Sequence, residues 1–200
     1  FSSRRRHTRY ISVTGVQTCD LPIYAPRLFE DSEFLRARAS LAGRNFESHF
    51  VLSAPQANID AIEGALARAG AAHQWLPVPY PFHSAWIDPL REAFIDACPG
   101  QRVAMPALPV VCCAAGGALG EVTNDYFWRV AREPMYFMPA VAGLEAAGAH
   151  DYLDLSPSGT LAGFLRYLKA PGSASRVRAA LSPFGRGDME TLDAALAALR

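Results

Sequence analysis

Apolar and polar positions along this chain switch repeatedly between a helical and a strand period, and the switches fall at Gly, Pro and Ser. Ser32 is placed to cap a helix over 32–41 that Gly43 ends. Residues 46–53 read as a strand. Pro55, tolerated at a helix start, leads into a helix over 58–69 with Ile59, Ile62, Leu66 and Ala69 on one face and Gly70 as its stop. A strand over 73–78 follows, then a helix over 89–98. The continuous apolar run 108–113 has the character of a strand buried on both faces of a parallel sheet. Thr123 caps a helix to Val130, a second helix over 136–147 closes at Gly148, and a strand over 152–155 precedes a helix over 158–168. A last strand over 178–181 and an amphipathic helix over 189–199 complete the pattern. The alternation predicts an α/β fold in two lobes, with residues 170–175 as a surface loop.

One break in this pattern carries candidate chemistry. The β-favouring stretch from Gln74 runs into Pro77, Pro79 and Pro81, which deliver His83 just ahead of the helix-compatible Ile87-Asp88-Pro89. A titratable ring on a strand-to-helix corner is how a fold presents a general base. By itself the pattern fits a turn-capping histidine better.

Composition narrows the field. Half of the 200 residues are apolar, and 19 basic residues balance 19 acidic ones. No apolar run approaches the roughly 18 residues of a membrane span. The four cysteines show no metal spacing, and adjacent Cys112 and Cys113 are expected to be packed thiols of a reducing cytoplasm. No phosphate-cradling loop or Cys/His cluster occurs, so neither cofactor nor metal is expected, and neither a nucleic acid nor a membrane is an expected partner. Charge is uneven at one place. Residues 1–23 carry four Arg against one Asp and leave 15 basic against 18 acidic residues downstream.

Around His83 the chain resembles the malonyl-CoA:acyl carrier protein transacylase family, which includes the acyltransferases of polyketide synthases. Leu76-Pro77-Val78 followed by Tyr80-Pro81-Phe82-His83, Ser84 and Ile87-Asp88-Pro89 is similar to the family's catalytic-histidine stretch. Four further landmarks keep the family's order. They are Asn45 with Phe50-Val51-Leu52-Ser53-Ala54-Pro55, then Pro109-Val110-Val111-Cys112, then Phe127-Trp128 with Arg132-Glu133-Pro134-Met135-Tyr136-Phe137, and finally Tyr152-Leu153-Asp154-Leu155-Ser156-Pro157-Ser158-Gly159.

The resemblance implies a hydrolase-like parallel sheet core with an inserted ferredoxin-like small subdomain. Residues 24–79 fall in the subdomain region and 80–200 in the C-terminal part of the core. It implies that His83 is the catalytic base and that a main-chain carbonyl at Val130 holds its second ring nitrogen. Phe82 stands where malonyl-selective members often have Phe, and it serves core packing equally well. Tyr80 departs from the malonyl pattern, which usually has His there. Asn45 either lines the substrate pocket or is an ordinary turn residue, and His49, in place of a family Gln, is expected to be structural. His73 and His150 are expected to face solvent.

The implied activity is malonyl transfer from malonyl-CoA to an acyl carrier protein, through an acyl-serine, in polyketide or fatty acid biosynthesis. A stand-alone enzyme acting in trans is expected. The serine belongs to a Gly-x-Ser-x-Gly elbow, and no such string occurs in these 200 residues. The family's carboxylate-binding arginine has no match either. The chain is therefore expected to be the C-terminal part of the catalytic domain, inactive and poorly soluble alone. Residues 1–23 resemble a translated sequencing adapter and are expected to lie outside the domain. A hydrolase clearing acyl carrier proteins, or a non-catalytic carrier-docking fragment, are the alternatives.

Overall fold

The computed structural model describes the backbone of residues 8–14 and, in full, residues 27–76, 78–97, 104–182 and 187–198. These fall into two units, residues 1–137 and 138–200.

The first unit is built on a four-stranded antiparallel sheet. Its strands are β1 (Thr8–Thr14), β2 (Ser40–Phe46), β3 (His49–Pro55) and β4 (Ala72–Leu76). Between β1 and β2 lie the short helices α1 (Leu28–Asp31) and α2 (Glu33–Arg36), and between β3 and β4 lies α3 (Ile59–Arg68) after a 3-10 turn. The strand order is β2-β3-β1-β4. That order and connectivity make the ferredoxin-like subdomain expected from the sequence.

Strand β3 is buried along almost its whole length because its side chains alternate between two faces and both faces are covered. Phe50, Leu52 and Ala54 join Leu35 of α2 and Ile62 and Leu66 of α3 in one buried cluster. Val51, on the opposite face, joins Ala42 of β2 in a second cluster, packed by Leu76, Val78, Phe82 and Met135. His49 and Ser53 share that opposite face with Val51. The sheet is thus sandwiched between helices on one side and the segment leading to His83 on the other.

Several boundaries differ from the sequence expectation. Ser32 does cap a helix, its hydroxyl accepting from the Leu35 N–H at 3.2 Å, but α2 ends at Arg36. Leu41 and Gly43 are in β2, because pairing with β3 outweighs the modest helix preference of the local sequence. Gly43 is no helix stop: a Cβ there would meet Met135 Cβ at 2.9 Å, and the two residues form an isolated parallel bridge. The single strand expected over 46–53 is a hairpin, β2 and β3 turning at Glu47 and Ser48. In α3, Ile59, Ile62 and Leu66 are buried as expected, while Ala69 is exposed beyond the last turn.

Thr8–Thr14 lies within residues 1–23, which were expected to stand outside the domain. Its backbone pairs antiparallel with β3 and with β4. Ladder bonds use main-chain groups that any proline-free stretch carries, so this seat is independent of the stretch's origin.

Beyond β4, a 3-10 turn (Ala85–Leu90) runs into α4 (Arg91–Asp96). The parallel strand expected over 108–113 is instead one arm of a small antiparallel pair, β5 (Val111–Cys112) with β6 (Gly117–Ala118). Leu108 is 77% exposed, since a doubly buried strand needs neighbours on both edges and Pro109 offers no N–H to one. Cys112 is buried and Cys113 half-buried, both as thiols; Cys19 and Cys98 lie outside the described residues. Helix α5 (Tyr126–Arg132) closes the unit.

The second unit holds α6 (Phe137–Ala147), β7 (Asp151–Asp154), α7 (Thr160–Leu168), β8 (Arg176–Ala179) and α8 (Asp188–Ala197). β7 and β8 are parallel, with α7 as the crossover such a pair requires. The buried Asp154 carboxylate accepts the Ser156 and Ala162 N–H groups, both at 2.8 Å, and so starts α7. Among the described residues no helix is long and apolar enough to cross a membrane.

Candidate active site

His83 is the one non-glycine residue with a left-handed backbone among the described residues, at φ 57°. Such a conformation costs on the order of 1–3 kcal/mol and persists where surrounding structure over-determines it. Here the determinants are identifiable. The His83 N–H donates to the Ala131 carbonyl at 2.8 Å, and Nδ1 lies 2.8 Å from the Glu133 carbonyl. A carbonyl only accepts, so Nδ1 carries the proton and Nε2 is the ring's acceptor. That is the tautomer a general base needs. Burial pulls the imidazole's pKa below its ordinary value of 6.5, while the bond to Glu133 acts the other way.

The carbonyl expected from Val130 is therefore supplied by Glu133. Pro134 has no N–H to continue α5, and Glu133 leaves the helix at φ −75°, ψ 148°, turning its carbonyl away from the helix axis. The Glu-Pro step is legible in the sequence and could have marked this residue. Val130 sits on α5, 37% exposed.

The residue after His83 secures the corner from the other side. Ser84, 3% exposed, donates to the Pro81 carbonyl at 2.7 Å, and fully buried Ser53 of β3 donates to Ser84 Oγ at 3.3 Å. Ser84 belongs to the stretch singled out around His83, whereas the part Ser53 plays at the corner was not foreseen, although its signal, a hydroxyl within an apolar strand, is present in the sequence. Phe82 packs in the Ala42–Val51 cluster and meets the rings of Tyr80 and His83 at centroid distances of 5.9 and 6.5 Å. Tyr80, by contrast, is half exposed.

Asn45 is drawn to a different partner. Its Nδ2 donates to His49 Nδ1 at 3.0 Å, with both residues buried. Burial lowers the pKa of His49 below 6.5, against an opposing backbone hydrogen bond. The sign of the pH dependence follows. Below about pH 6.5 the unfolded chain takes up a proton that folded His49 resists, so stability is full above that pH and falls as pH drops towards the folded pKa. His83 acts in the same direction. Urea melts between about pH 7 and pH 5 should show a falling midpoint, and His49→Gln should remove part of the slope. An unchanged slope would mean His49 is not held neutral.

His73 and His150, expected to face solvent, are half-buried and bonded to the carbonyls of Ala71 and Leu144, both at 3.0 Å. No group of three His, Cys, Asp or Glu side chains gathers among the described residues in a way that could hold a metal.

No protein-family model matches the chain. Curated relatives do, among them the polyketide biosynthesis acyltransferase homologs BaeD of Bacillus velezensis and PksD of Bacillus subtilis. Each is 35% identical over 159 residues, covering 80% of this chain and 49% of the relative. The chain spans about half the length of the curated relatives it matches. Among solved structures, the acyltransferase domain of SpnD, in complex with 2-(pent-4-yn-1-yl)malonyl, aligns with a TM-score of 0.82. The alignment has 19% identity over 96% of this chain and 46% of that one, a likeness of fold.

Proposed function

We propose that this chain, which belongs to the family of malonyl-CoA:acyl carrier protein transacylases and polyketide synthase acyltransferases, carries the general base of an acyl-transfer enzyme. The whole enzyme would move malonyl from coenzyme A to its own serine, and then to the phosphopantetheine thiol of an acyl carrier protein. The observation that carries this reading is His83, held by two α5-end carbonyls in the tautomer that leaves Nε2 to accept a proton.

The steps follow from that tautomer. Nε2 takes the serine hydroxyl proton as the oxygen attacks the thioester carbonyl, and the tetrahedral intermediate then expels the coenzyme A sulfur, which receives that proton. In the second half, Nε2 takes the pantetheine thiol proton, the sulfur attacks the acyl-serine, and the proton returns to the serine oxygen. Through both halves the Glu133 carbonyl keeps the ring oriented and offsets the charge of the transient imidazolium. The serine is taken to lie outside these 200 residues, so the chain alone should not become acylated.

Phe82 is proposed to set extender choice by filling the space an α-methyl would need, a steric discrimination of about 1–3 kcal/mol. Asn45, whose amide also engages His49, and Tyr80 are proposed beside the acyl group, while the carbonyl role expected of Val130 falls to Glu133. One experiment addresses both activity and choice. The whole enzyme is given equal malonyl-CoA and methylmalonyl-CoA with an acyl carrier protein, and the carrier is weighed by mass spectrometry. Malonyl-carrier should dominate, and Phe82→Ser should raise the methylmalonyl share about 5- to 100-fold. Free malonate without acyl-carrier would make the protein a hydrolase, and an unmoved ratio would leave Phe82 as packing only.

A further inference from the structure

We propose that Arg132 and Asp88 form a positioning pair that holds the carbonyl clip in register with His83, an inference that rests on the catalytic role given to His83 above. Two short segments meet at the corner, residues 83–88 and 131–133, and three cross-links join them. The His83 N–H reaches the Ala131 carbonyl and Nδ1 reaches the Glu133 carbonyl, each at 2.8 Å. Between those two carbonyls in sequence stands Arg132. Its guanidinium donates from Nε to Asp88 Oδ1 at 2.5 Å and from Nη2 to Asp88 Oδ2 at 3.2 Å.

The geometry suits orientation better than stability. The Asp88 and Arg132 side chains are 49% and 26% exposed, and an ion pair so placed in water adds little to folding. A two-pronged fork, however, fixes direction as well as distance. The backbone anchors the clip on either side of the carbonyl, the Glu133 N–H donating to the Arg129 carbonyl and the Met135 N–H to the Ala42 carbonyl, both at 2.8 Å, and the Arg132 fork adds a side-chain tie directly to the segment that carries His83. Asp88, in turn, sits in the 3-10 turn that begins two residues after His83. The pair ties the carbonyl's segment to the imidazole's own segment across the corner. Packing nearby is separate, with Ile87 and Trp128 buried and Phe94 meeting Trp128 edge-on at 5.6 Å, so loss of the pair should leave the unit folded.

The test uses the whole enzyme and follows the rate constant of serine acylation, KM for the acyl-CoA, and the melting midpoint. Asp88→Asn and Arg132→Gln should each lower the acylation rate constant about 10- to 100-fold with KM nearly unchanged. Arg132→Lys, which keeps the charge but cannot form the fork, should recover little. The double variant Asp88→Asn/Arg132→Gln should be no slower than the worse single one, as expected for one interaction. Rate constants at the parental level with only a lowered melting midpoint would overturn the proposal, as would losses that multiply in the double variant or full recovery in Arg132→Lys. Failure of the underlying reading would look different: His83→Ala would itself keep the rate.

Discussion

Replacing His83 by Ala should slow acyl transfer by the whole enzyme about 10²- to 10⁴-fold, the loss expected when a positioned acid–base group is removed. The effect should fall on the rate of serine acylation with little change in binding of the acyl-CoA, because Nε2 acts on a proton in flight. Ala also sits poorly at φ 57°, and stability must be measured beside activity. His83→Asn separates the two, since Asn tolerates a left-handed backbone and keeps a polar side chain without a base of suitable pKa. Both variants should be slow, and the Asn variant should melt closer to the parent. Full rate in either, with malonyl-CoA as donor, would remove His83 from the mechanism.

The largest expected loss of stability is at Phe50. It is 1% exposed, on the helix-facing side of β3, packed with Leu35, Ile62 and Leu66. Truncation to Ala removes a ring's worth of buried surface and leaves a cavity, costing about 3–5 kcal/mol, out of the roughly 5–15 kcal/mol that hold a typical domain together. Met189→Ala, at a side chain 66% exposed, should change stability by less than about 0.5 kcal/mol. Chemical denaturation at neutral pH would decide, and a Phe50→Ala loss below about 1 kcal/mol would show that this face of β3 is not the core. Because Val51 and Ser53 face the other way, the folded fraction of the whole enzyme carrying Phe50→Ala should keep most of its acylation rate.

Local periodicity made much of this fold legible. The apolar face of α3, its stop at Gly70 and the existence of β3 and β4 follow from residue types a few positions apart. The proline-bounded corner at His83 was legible for the same reason, since proline fixes φ whatever the tertiary surroundings. Boundaries were lost where a distant partner outweighed local preference. Leu41 suits a helix, and Gly43 its stop, until β3 offers a ladder, and 108–113 suits a buried strand until it has no parallel neighbours.

The sequence by itself determined that an imidazole would stand on a rigid corner after an apolar strand, because turn chemistry and side-chain identity are local properties. It could not determine what grips that imidazole. The Glu133 carbonyl is 50 residues away and is a group every residue carries, so the Glu-Pro step can mark a helix end without marking which ring it meets. Only the folded chain decides that Pro134 ends α5 where Glu133 can face Nδ1, that Ser53 meets Ser84 across 31 residues, and that Arg132 finds Asp88 across 44. Hydrogen-bond direction depends on tertiary placement, and so therefore do the tautomer of His83 and its competence as a base.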